Sequence, residues 1–285
     1  ETRVDFQRLR KYRLSRAKNA LKNSGLGALI LFDVNNIRYI TGTKIGEWER
    51  DKLCRFALLA GDEEPFVWDF GSAAVHHQLN CDWLDPNRCL AGMTGMRGTV
   101  PPSVGLMKSH AEEIMSYLKQ AGVADMPIGL DIAETAMFFE LQNAGMNIVD
   151  GQQVMLDARE IKNIDEITLL NQAATMVDGV YHMIYEELKP GVRENDIVAL
   201  SNQMLYEMGS DDVEAINAIS GERCSTHPHN FTDRMFRPGD QAFFDILQSY
   251  QGYRTCYYRT FNVGTATSEQ NDAYIQCREW LDKAI

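Results

Sequence analysis

The sequence predicts a protein of mixed helices and strands, of the α/β (α+β) class, with two domains. Three observations support this. The 285 residues, 45% of them hydrophobic, are enough for two domains and at least one large core. Apolar runs that suit strands alternate with helical patterns over roughly the first 150 residues, which is typical of one α/β domain. Long helical patterns begin near residue 155. We therefore expect domains at residues 1–155 and 156–285.

The first domain opens with a helix and a buried strand. Apolar residues recur at near-helical spacing in the first two dozen positions, and Gly25 stands where a glycine commonly ends a helix. The apolar run Leu26–Phe32 suits a buried strand. Phe56–Ala60 and Phe66–Phe70 flank a glycine- and proline-containing turn, which predicts a hairpin. The remaining elements predicted here are a helix at Ile114–Gly122 behind the capping-box pair Ser109 and Glu112, a strand at Ile128–Ile132, a helix at Glu134–Gly145 and a strand at Asn147–Val149.

The second domain begins with helices and continues with strands. Asp165–Leu188 is one long helical pattern that a Pro-Gly pair stops, and Glu194–Met208 predicts a second helix. Val213–Ile219 is typical of a strand. Near the end, Thr267 and Gln270 form a capping-box pattern that predicts a last helix.

Two aromatic, β-branched segments, Ala242–Ser249 and Tyr253–Phe261, predict a second hairpin. A hairpin centred between residues 250 and 251 places Asp245 directly opposite Cys256, with the Cβ atoms about 5 Å apart. These two side chains are potential ligands on adjacent strands.

A polar loop with His227 and His229 precedes this hairpin. Histidine suits proton transfer because its pKa lies near neutral pH. Together with Asp245 and Cys256, the loop favours an active site. The residue pattern alone equally allows a polar loop that caps an amphipathic hairpin.

The charge and cysteine content exclude several classes of partner. A net charge of -12 argues against nucleic acid and anionic membrane surfaces. The six cysteines are scattered without a paired motif, which favours reduced thiols in the cytoplasm. The longest apolar run, Ala28–Phe32, is too short to span a bilayer. We therefore expect a cytoplasmic protein that binds neither nucleic acid nor a membrane surface.

The second hairpin and its loop resemble the central motif of the creatinase / aminopeptidase P / prolidase family, the pita-bread enzymes. The matching residues are His229, Gly239-Asp240, Asp245, Gly252-Tyr253 and Arg259-Thr260-Phe261. The family's entry into its catalytic domain is matched by Arg159, Ile161, Lys162, Glu166 and Ile167. Segments 32–39 and 67–69 are most similar to the dimethylsulfoniopropionate lyases of this fold. The resemblance implies an N-terminal creatinase-like domain followed by a pita-bread catalytic domain, truncated here before the family's last His and Glu metal ligands.

The resemblance also implies roles for individual residues. His229 corresponds to the loop histidine beside the scissile bond, a general acid or base. Arg55 resembles an arginine that reaches a neighbouring subunit's active site and binds the substrate carboxylate, which implies a homodimer. Trp48, on the loop before it, is a candidate pocket wall. On the second hairpin strand, Tyr253, Tyr258 and Arg259 are candidate substrate-binding residues.

Asp245 and Cys256 occupy the family's metal-ligand positions, and Cys256 replaces a second aspartate. Three interpretations remain open: a lost metal site, an altered site in which a thiolate binds Zn or Fe, and a nucleophilic Cys256. We expect no cofactor, and Mn, Fe or Zn if a metal is bound.

The function that follows is a metal-independent hydrolase that cleaves a C–N bond in a small molecule or an Xaa-Pro-like substrate. The alternatives are a C–S lyase like the dimethylsulfoniopropionate lyases and a catalytically inactive binding module of the same fold.

Overall fold

The computed structural model describes residues 3–46 and 54–285, and the chain divides into two compact units, Glu1–Ile167 and Thr168–Ile285. Unit 1 contains α1 (Phe6–Ser24), β1 (Ala28–Leu31), α2 (Val34–Thr41), β2 (Phe56–Ala60), β3 (Phe66–Asp69), α3 (Gly71–Asn80), β4 (Cys89–Ala91), α4 (Leu106–Gln120), β5 (Ile128–Leu130), α5 (Thr135–Asn143), β6 (Ile148–Asp150) and α6 (Gln152–Glu160). The helix α7 (Ile164–Glu187) crosses into unit 2, which continues with α8 (Glu194–Glu207), β7 (Asp212–Ser220), β8 (Gln241–Tyr250), β9 (Tyr253–Asn262) and α9 (Ser268–Ala284).

Unit 1 is built on a six-stranded sheet in the order β4-β3-β2-β1-β5-β6. The pairs β1–β2 and β2–β3 are antiparallel, and the other pairs are parallel. Every residue of β1 is buried, because Ala28 and Ile30 face one hydrophobic cluster while Leu29 and Leu31 face another. Helices α4 and α5 contribute to the first cluster, and α1, α2 and α6 contribute to the second. The sheet is thus the middle layer of three, as a strand with a continuous apolar run predicts.

The helix α4 begins earlier than its capping pattern predicts. It starts at Leu106 after Gly105, whose φ is 81°, rather than behind Ser109. The reason is burial: Met107, Ala111 and Ile114 recur at helical spacing and all lie in the core. This apolar face outweighs the capping signal inside it. By contrast, α1 ends at Gly25 as predicted, with a φ of 76°.

The two units meet within α7, twelve residues after the predicted domain boundary at 155/156. Residues 156–167 belong to unit 1 because α6 and the residues that follow it are hydrogen-bonded to α1. The Arg16 guanidinium donates to the carbonyl oxygens of Asp157 (2.7 Å) and Ala158 (3.1 Å). Arg8 forms a bidentate pair with Asp165, with N–O distances of 2.8 and 2.7 Å.

Unit 2 contains an antiparallel sheet in the order β7-β8-β9. Alternate residues, among them Ala218, Phe244 and Ile246, pack with residues of α7 and α8 in one hydrophobic cluster. The Tyr181 hydroxyl on α7 donates to the carbonyl oxygen of Phe244 (3.0 Å), which ties the helix to the sheet. The intervening residues on the three strands form the other face of the sheet, which we call the open face. Its members include Asn217 on β7, Phe243 and Asp245 on β8, and Cys256 and Tyr258 on β9.

The hairpin of β8 and β9 turns one residue later than its symmetry predicts. Gln251 and Gly252 form the turn, with φ values of 51° and 83°. Two successive positive φ angles suit the right-handed twist of the strands, and glycine adopts them at low cost. Asp245 therefore pairs with Tyr258, and Cys256 pairs with Leu247. The expectation that Asp245 lies directly opposite Cys256 was wrong, but a shift of two residues leaves both on the same face.

The last helix, α9, begins as its capping box predicts. The Thr267 hydroxyl accepts the Gln270 N–H (3.2 Å), and the Gln270 side-chain oxygen accepts the Thr267 N–H (2.9 Å). In residues 3–46 and 54–285, no helix combines the length and the apolar character that crossing a bilayer requires.

Candidate active site on the open face

Asp245 lies at the centre of the open face. Its side chain is almost fully buried, with 3% exposure. On the neighbouring strand β7, the amide of Asn217 donates to Oδ2 (3.2 Å). On β9, the thiol of Cys256 donates to Oδ1 (3.4 Å), and the hydroxyl of Tyr258 also donates to the carboxylate. Strands β7 and β9 thus both present donors to one carboxylate on β8.

The thiol of Cys256 is a poor nucleophile in this position. Burial raises its pKa, and the hydrogen bond to Asp245 raises it further, because a thiolate beside a carboxylate is disfavoured. The thiol therefore keeps its proton at neutral pH. A protonated thiol argues against Cys256 as a nucleophile and also against Cys256 as a thiolate ligand of a metal.

Tyr258 keeps its phenolic proton on the open face. Burial and the hydrogen bond to Asp245 raise its pKa to about 12. A neutral phenol whose position is held by a buried carboxylate can orient a ligand by hydrogen bonding. The structure thus places Tyr258 next to Asp245, another of the candidate site residues.

The two loop histidines lie against this cluster. The ring of His227 is 5.0 Å from that of Phe243 and 5.4 Å from that of Tyr258, measured between centroids. The ring centroid of His229 lies 3.9 Å from that of His227. His227 is half-buried and its Nε2 has no hydrogen-bond partner, whereas His229 is exposed. His227 therefore lies between the strand aromatics and His229, which suits a packing role for His227 and an accessible imidazole at His229.

Both histidines have left-handed backbone conformations, with φ of 47° at His227 and 49° at His229. Such angles cost a non-glycine residue on the order of 1–3 kcal/mol and persist where surrounding contacts hold them. Elsewhere in the same loop, the Arg234 guanidinium binds the carboxylates of Asp240 (2.6 Å) and Glu222 (2.7 Å). The hydrogen bond from Arg234 lowers the pKa of Glu222 to about 2, so this pair persists well into acid.

Arg55 is a structural cation of unit 1 rather than an exposed substrate anchor. Its side chain is fully buried, with 0% exposure. It pairs with Asp69 on β3 and donates to the carbonyl oxygen of Thr43 (2.8 Å). A side chain enclosed in this way cannot reach a second subunit. The expected homodimer loses that basis and stays a prediction, and Trp48 lies outside the described residues.

No motif in the sequence marks His77, which completes the Arg55 cluster. His77 lies on α3 with its Nε2 3.0 Å from Asp69 Oδ2 and its Nδ1 3.8 Å from the sulfur of Cys81. All three side chains are buried. The one available signal was the four-residue spacing of His77 and Cys81, which places both on the same side of a helix.

Two of the predicted substrate-binding residues face away from Asp245. Arg259 alternates with Tyr258 along β9, and its guanidinium stacks on the ring of Tyr257 at 4.6 Å, on the helix-covered side. Tyr253 shares that side and pairs with Tyr250 beside the turn. The period of two along a strand separates these residues from Tyr258, so the candidate site keeps Tyr258 alone of the three.

The donor set does not fit a dinuclear metal centre. Among residues 3–46 and 54–285, no group of three or more His, Cys, Asp or Glu side chains is placed to hold a metal ion. Asp245 and Cys256 supply one carboxylate and one protonated thiol, and that thiol donates to the carboxylate rather than leaving it for a cation. A metal-dependent reaction would need ligands besides these.

Two family models match the chain, one in each unit. Residues 13–161 match the creatinase/prolidase N-terminal domain, and residues 168–285 match metallopeptidase family M24. The chain is 25% identical over 271 residues to a probable dipeptidase PepE of Mycobacterium bovis, covering 92% of this chain and 66% of the relative. It is 23% identical over 278 residues to the dimethylsulfoniopropionate lyase DddP of Roseovarius nubinhibens, covering 95% and 62%.

Solved structures show the same fold. A prolidase from Thermococcus sibiricus superimposes with a TM-score of 0.75 at 21% identity, over 99% of this chain and 72% of that one. The chain spans about two thirds of the length of the curated relatives it matches, 66% and 62% in the two cases above.

Proposed function

We propose that this chain, which belongs to metallopeptidase family M24 and carries the creatinase/prolidase N-terminal domain, provides the catalytic face of a hydrolase. The proposed reaction is the cleavage of a C–N bond in a small molecule or an Xaa-Pro-like substrate. The observation that carries the proposal is the cluster on the open face, where Asp245, Tyr258 and the two loop histidines converge.

His229 is the proposed proton-transfer group. Its imidazole is exposed and can take a proton from an attacking water and return it to the leaving nitrogen. His227 packs against it, with the two ring centroids 3.9 Å apart. Tyr258, bonded to Asp245, is a candidate hydrogen-bond donor to the substrate carbonyl.

The proposed mechanism is independent of metal. It is supported by the chemistry at position 256, where the protonated thiol donates a hydrogen bond to the carboxylate that a cation would need. All the proposed proton transfers use side chains of unit 2.

A second candidate function is a C–S lyase, which the similarity to DddP favours. A lyase of that kind would use a base to remove a proton from carbon, with the sulfur leaving as a sulfide and a C=C bond forming. No water would be consumed, and this distinguishes the two reactions.

The test is turnover by the full-length protein in water labelled with ¹⁸O, using Xaa-Pro dipeptides, small cyclic amides and dimethylsulfoniopropionate. Hydrolysis would place one ¹⁸O atom in the product carboxylate, whereas an unlabelled alkene product would support the lyase. Asp245→Asn should abolish the labelled product. Asp178→Asn is the matched control because Asp178 lies on α7 and bonds Tyr257 on the other side of the sheet. Equal turnover in both variants would contradict the proposed site, and binding without turnover in the unmodified protein would indicate a binding module.

A further inference from the structure

A buried glutamate at the start of α8 binds both ends of the loop that carries the histidines. Glu194 is the first residue of α8, and its side chain has 0% exposure. Its Oε1 accepts the N–H (2.9 Å) and the hydroxyl (2.7 Å) of Ser220, the last residue of β7. Its Oε2 accepts the N–H (2.9 Å) and the hydroxyl (2.8 Å) of Thr232. Because every partner is a donor, the pattern matches a carboxylate that acts only as an acceptor.

Arg223 connects this carboxylate to the residue next to His229. Its Nη1 donates to Glu194 Oε2 and to the hydroxyl of Thr232 (3.0 Å), and its Nη2 donates to the side-chain oxygen of Asn230. The Asn230 carbonyl oxygen also accepts the N–H of Ala218 on β7 (3.2 Å). Asn230 follows His229 directly, so the backbone at His229 is held from its C-terminal side.

The fold of this region does not depend on the carboxylate alone. Backbone hydrogen bonds join the segment after the histidines to the start of α8, from Asn195 N–H to the Thr232 carbonyl (3.0 Å) and from Glu194 N–H to the Arg234 carbonyl (3.0 Å). Phe236 N–H donates in the same way to the carbonyl of Val192 (2.9 Å). Loss of the Glu194 charge would therefore change the segment 223–230 more than the helix or the sheet.

We propose that Glu194 is a positioning residue. It holds Arg223 and Asn230, and thereby fixes the position of the His229 imidazole relative to the Asp245 cluster. The left-handed backbone at both histidines needs such an anchor, since it is unfavourable without one. The catalytic part of this inference rests on the proposed function, whereas the anchoring part concerns the loop conformation alone.

The test compares Glu194→Gln with Asp196→Asn in the full-length protein. Glutamine keeps the size of the side chain but turns one oxygen into a donor that faces other donors. Asp196 loses the same charge in the same turn of α8, and its side chain bonds Arg193 rather than the loop. Imidazole NMR signals of His227 and His229 should shift or broaden in Glu194→Gln and stay unchanged in Asp196→Asn. His110 and His182, which lie elsewhere, should be unchanged in both.

Kinetics provide the second readout. A misplaced proton-transfer group should lower kcat by about 10²-fold, since small displacements of reacting groups have effects of that size. The KM should change far less, because substrate binding is not altered. Thr232→Val is the substitute if Glu194→Gln does not fold. It keeps the shape of Thr232 and removes one donor to Glu194, so it should produce the same changes in smaller degree.

Unchanged histidine signals in folded Glu194→Gln would overturn the inference, as would unchanged signals in Thr232→Val where Glu194→Gln does not fold. Shifted signals with an unchanged kcat would leave the anchor but remove its role in positioning. Equal losses in Asp196→Asn would assign the effect to helix charge instead. If the signals shift but His229→Ala keeps full activity, the proposed function fails while the anchoring of the loop stands.

Discussion

Cys256 takes part in the chemistry of the open face as a hydrogen-bond donor to Asp245. Related enzymes are expected to have an aspartate at this position, where a second carboxylate would attract a hard cation. Cys256→Asp should therefore raise the affinity of the full-length protein for Mn²⁺, measured by elemental analysis after dialysis. Cys277→Asp is the control because Cys277 is an exposed cysteine on α9. One or two Mn, Fe or Zn ions per unmodified chain, removed by Asp245→Ala, would show that the metal-independent proposal is wrong.

Arg55 gives a second prediction at the scale of single residues. Arg55→Met leaves the carboxylate of Asp69 buried beside His77 without its arginine, and breaking a buried pair costs about 3–5 kcal/mol of unfolding free energy. Lys108→Met, which breaks an exposed pair with Glu112, should cost no more than about 1 kcal/mol. Urea denaturation measures both. A raised KM in Arg55→Met with unchanged stability would restore a role in substrate binding.

The β8–β9 hairpin provides a prediction at the scale of elements. Gly252→Ala places a side chain at a φ of 83°, which should lower the unfolding free energy by about 1–2 kcal/mol. The same substitution at Gly179, inside α7, should raise stability by about 0.5–1 kcal/mol. A Cβ there meets Met204 at 3.5 Å, an ordinary contact. Effects of the same sign in urea denaturation would contradict this explanation of the hairpin register.

The histidine loop should also respond to acid. Because Arg234 lowers the pKa of Glu222 to about 2, the folded carboxylate stays ionised where an unfolded one would be protonated. The contribution of this pair is present above the unfolded pKa of about 4.5 and is lost as the pH falls toward 2. Amide hydrogen exchange of residues 221–240, expressed relative to the intrinsic exchange rate at each pH, should therefore become faster over that range in the unmodified protein. In Glu222→Gln it should already be faster at neutral pH. A loop that exchanges equally fast in both proteins at neutral pH would contradict the role of this pair.

The elements were predictable where short-range signals agree, and they were not where long-range packing decides. The hairpins and the helices α1, α7 and α8 follow from periodicity and turn residues alone. The start of α4 does not, because burial of Met107 in the core extends the helix toward its N-terminus, three residues before Ser109. The register of β8 and β9 needed the backbone angles of Gln251 and Gly252, which symmetry of the apolar runs does not provide.

The candidate site was predictable in its chemistry and only in part in its geometry. His229, Asp245 and Tyr258 stand out as residue types in a recognisable order, and the structure places Tyr258 and Asp245 together. Arg259 points away from Asp245 because side chains alternate along β9. The pairing partner of Asp245 depends instead on the strand register, which the sequence predicts two residues in error. No local sequence pattern indicates the role of Glu194, because its hydrogen-bond partners are up to 38 residues away along the chain.

At the scale of the whole molecule, each unit has its own hydrophobic core and its own family match. All residues of the candidate active site lie in unit 2, within the part that matches family M24. Unit 1 holds the buried cluster of Arg55, Asp69 and His77, which is a feature of its fold. We therefore assign the chemistry to the open face and its histidine loop.

The most direct test of that assignment is the turnover of His229→Ala and His227→Ala in the full-length protein, followed from pH 5 to 9 on a substrate that the labelling experiment identifies. General acid–base catalysis contributes about 10²–10⁴-fold, so His229→Ala should lower kcat by that factor. His227→Ala, which removes the ring that packs between Tyr258 and His229, should lose far less. Equal losses in the two variants would move the catalytic role away from His229, and undiminished turnover by His229→Ala would contradict the proposed mechanism.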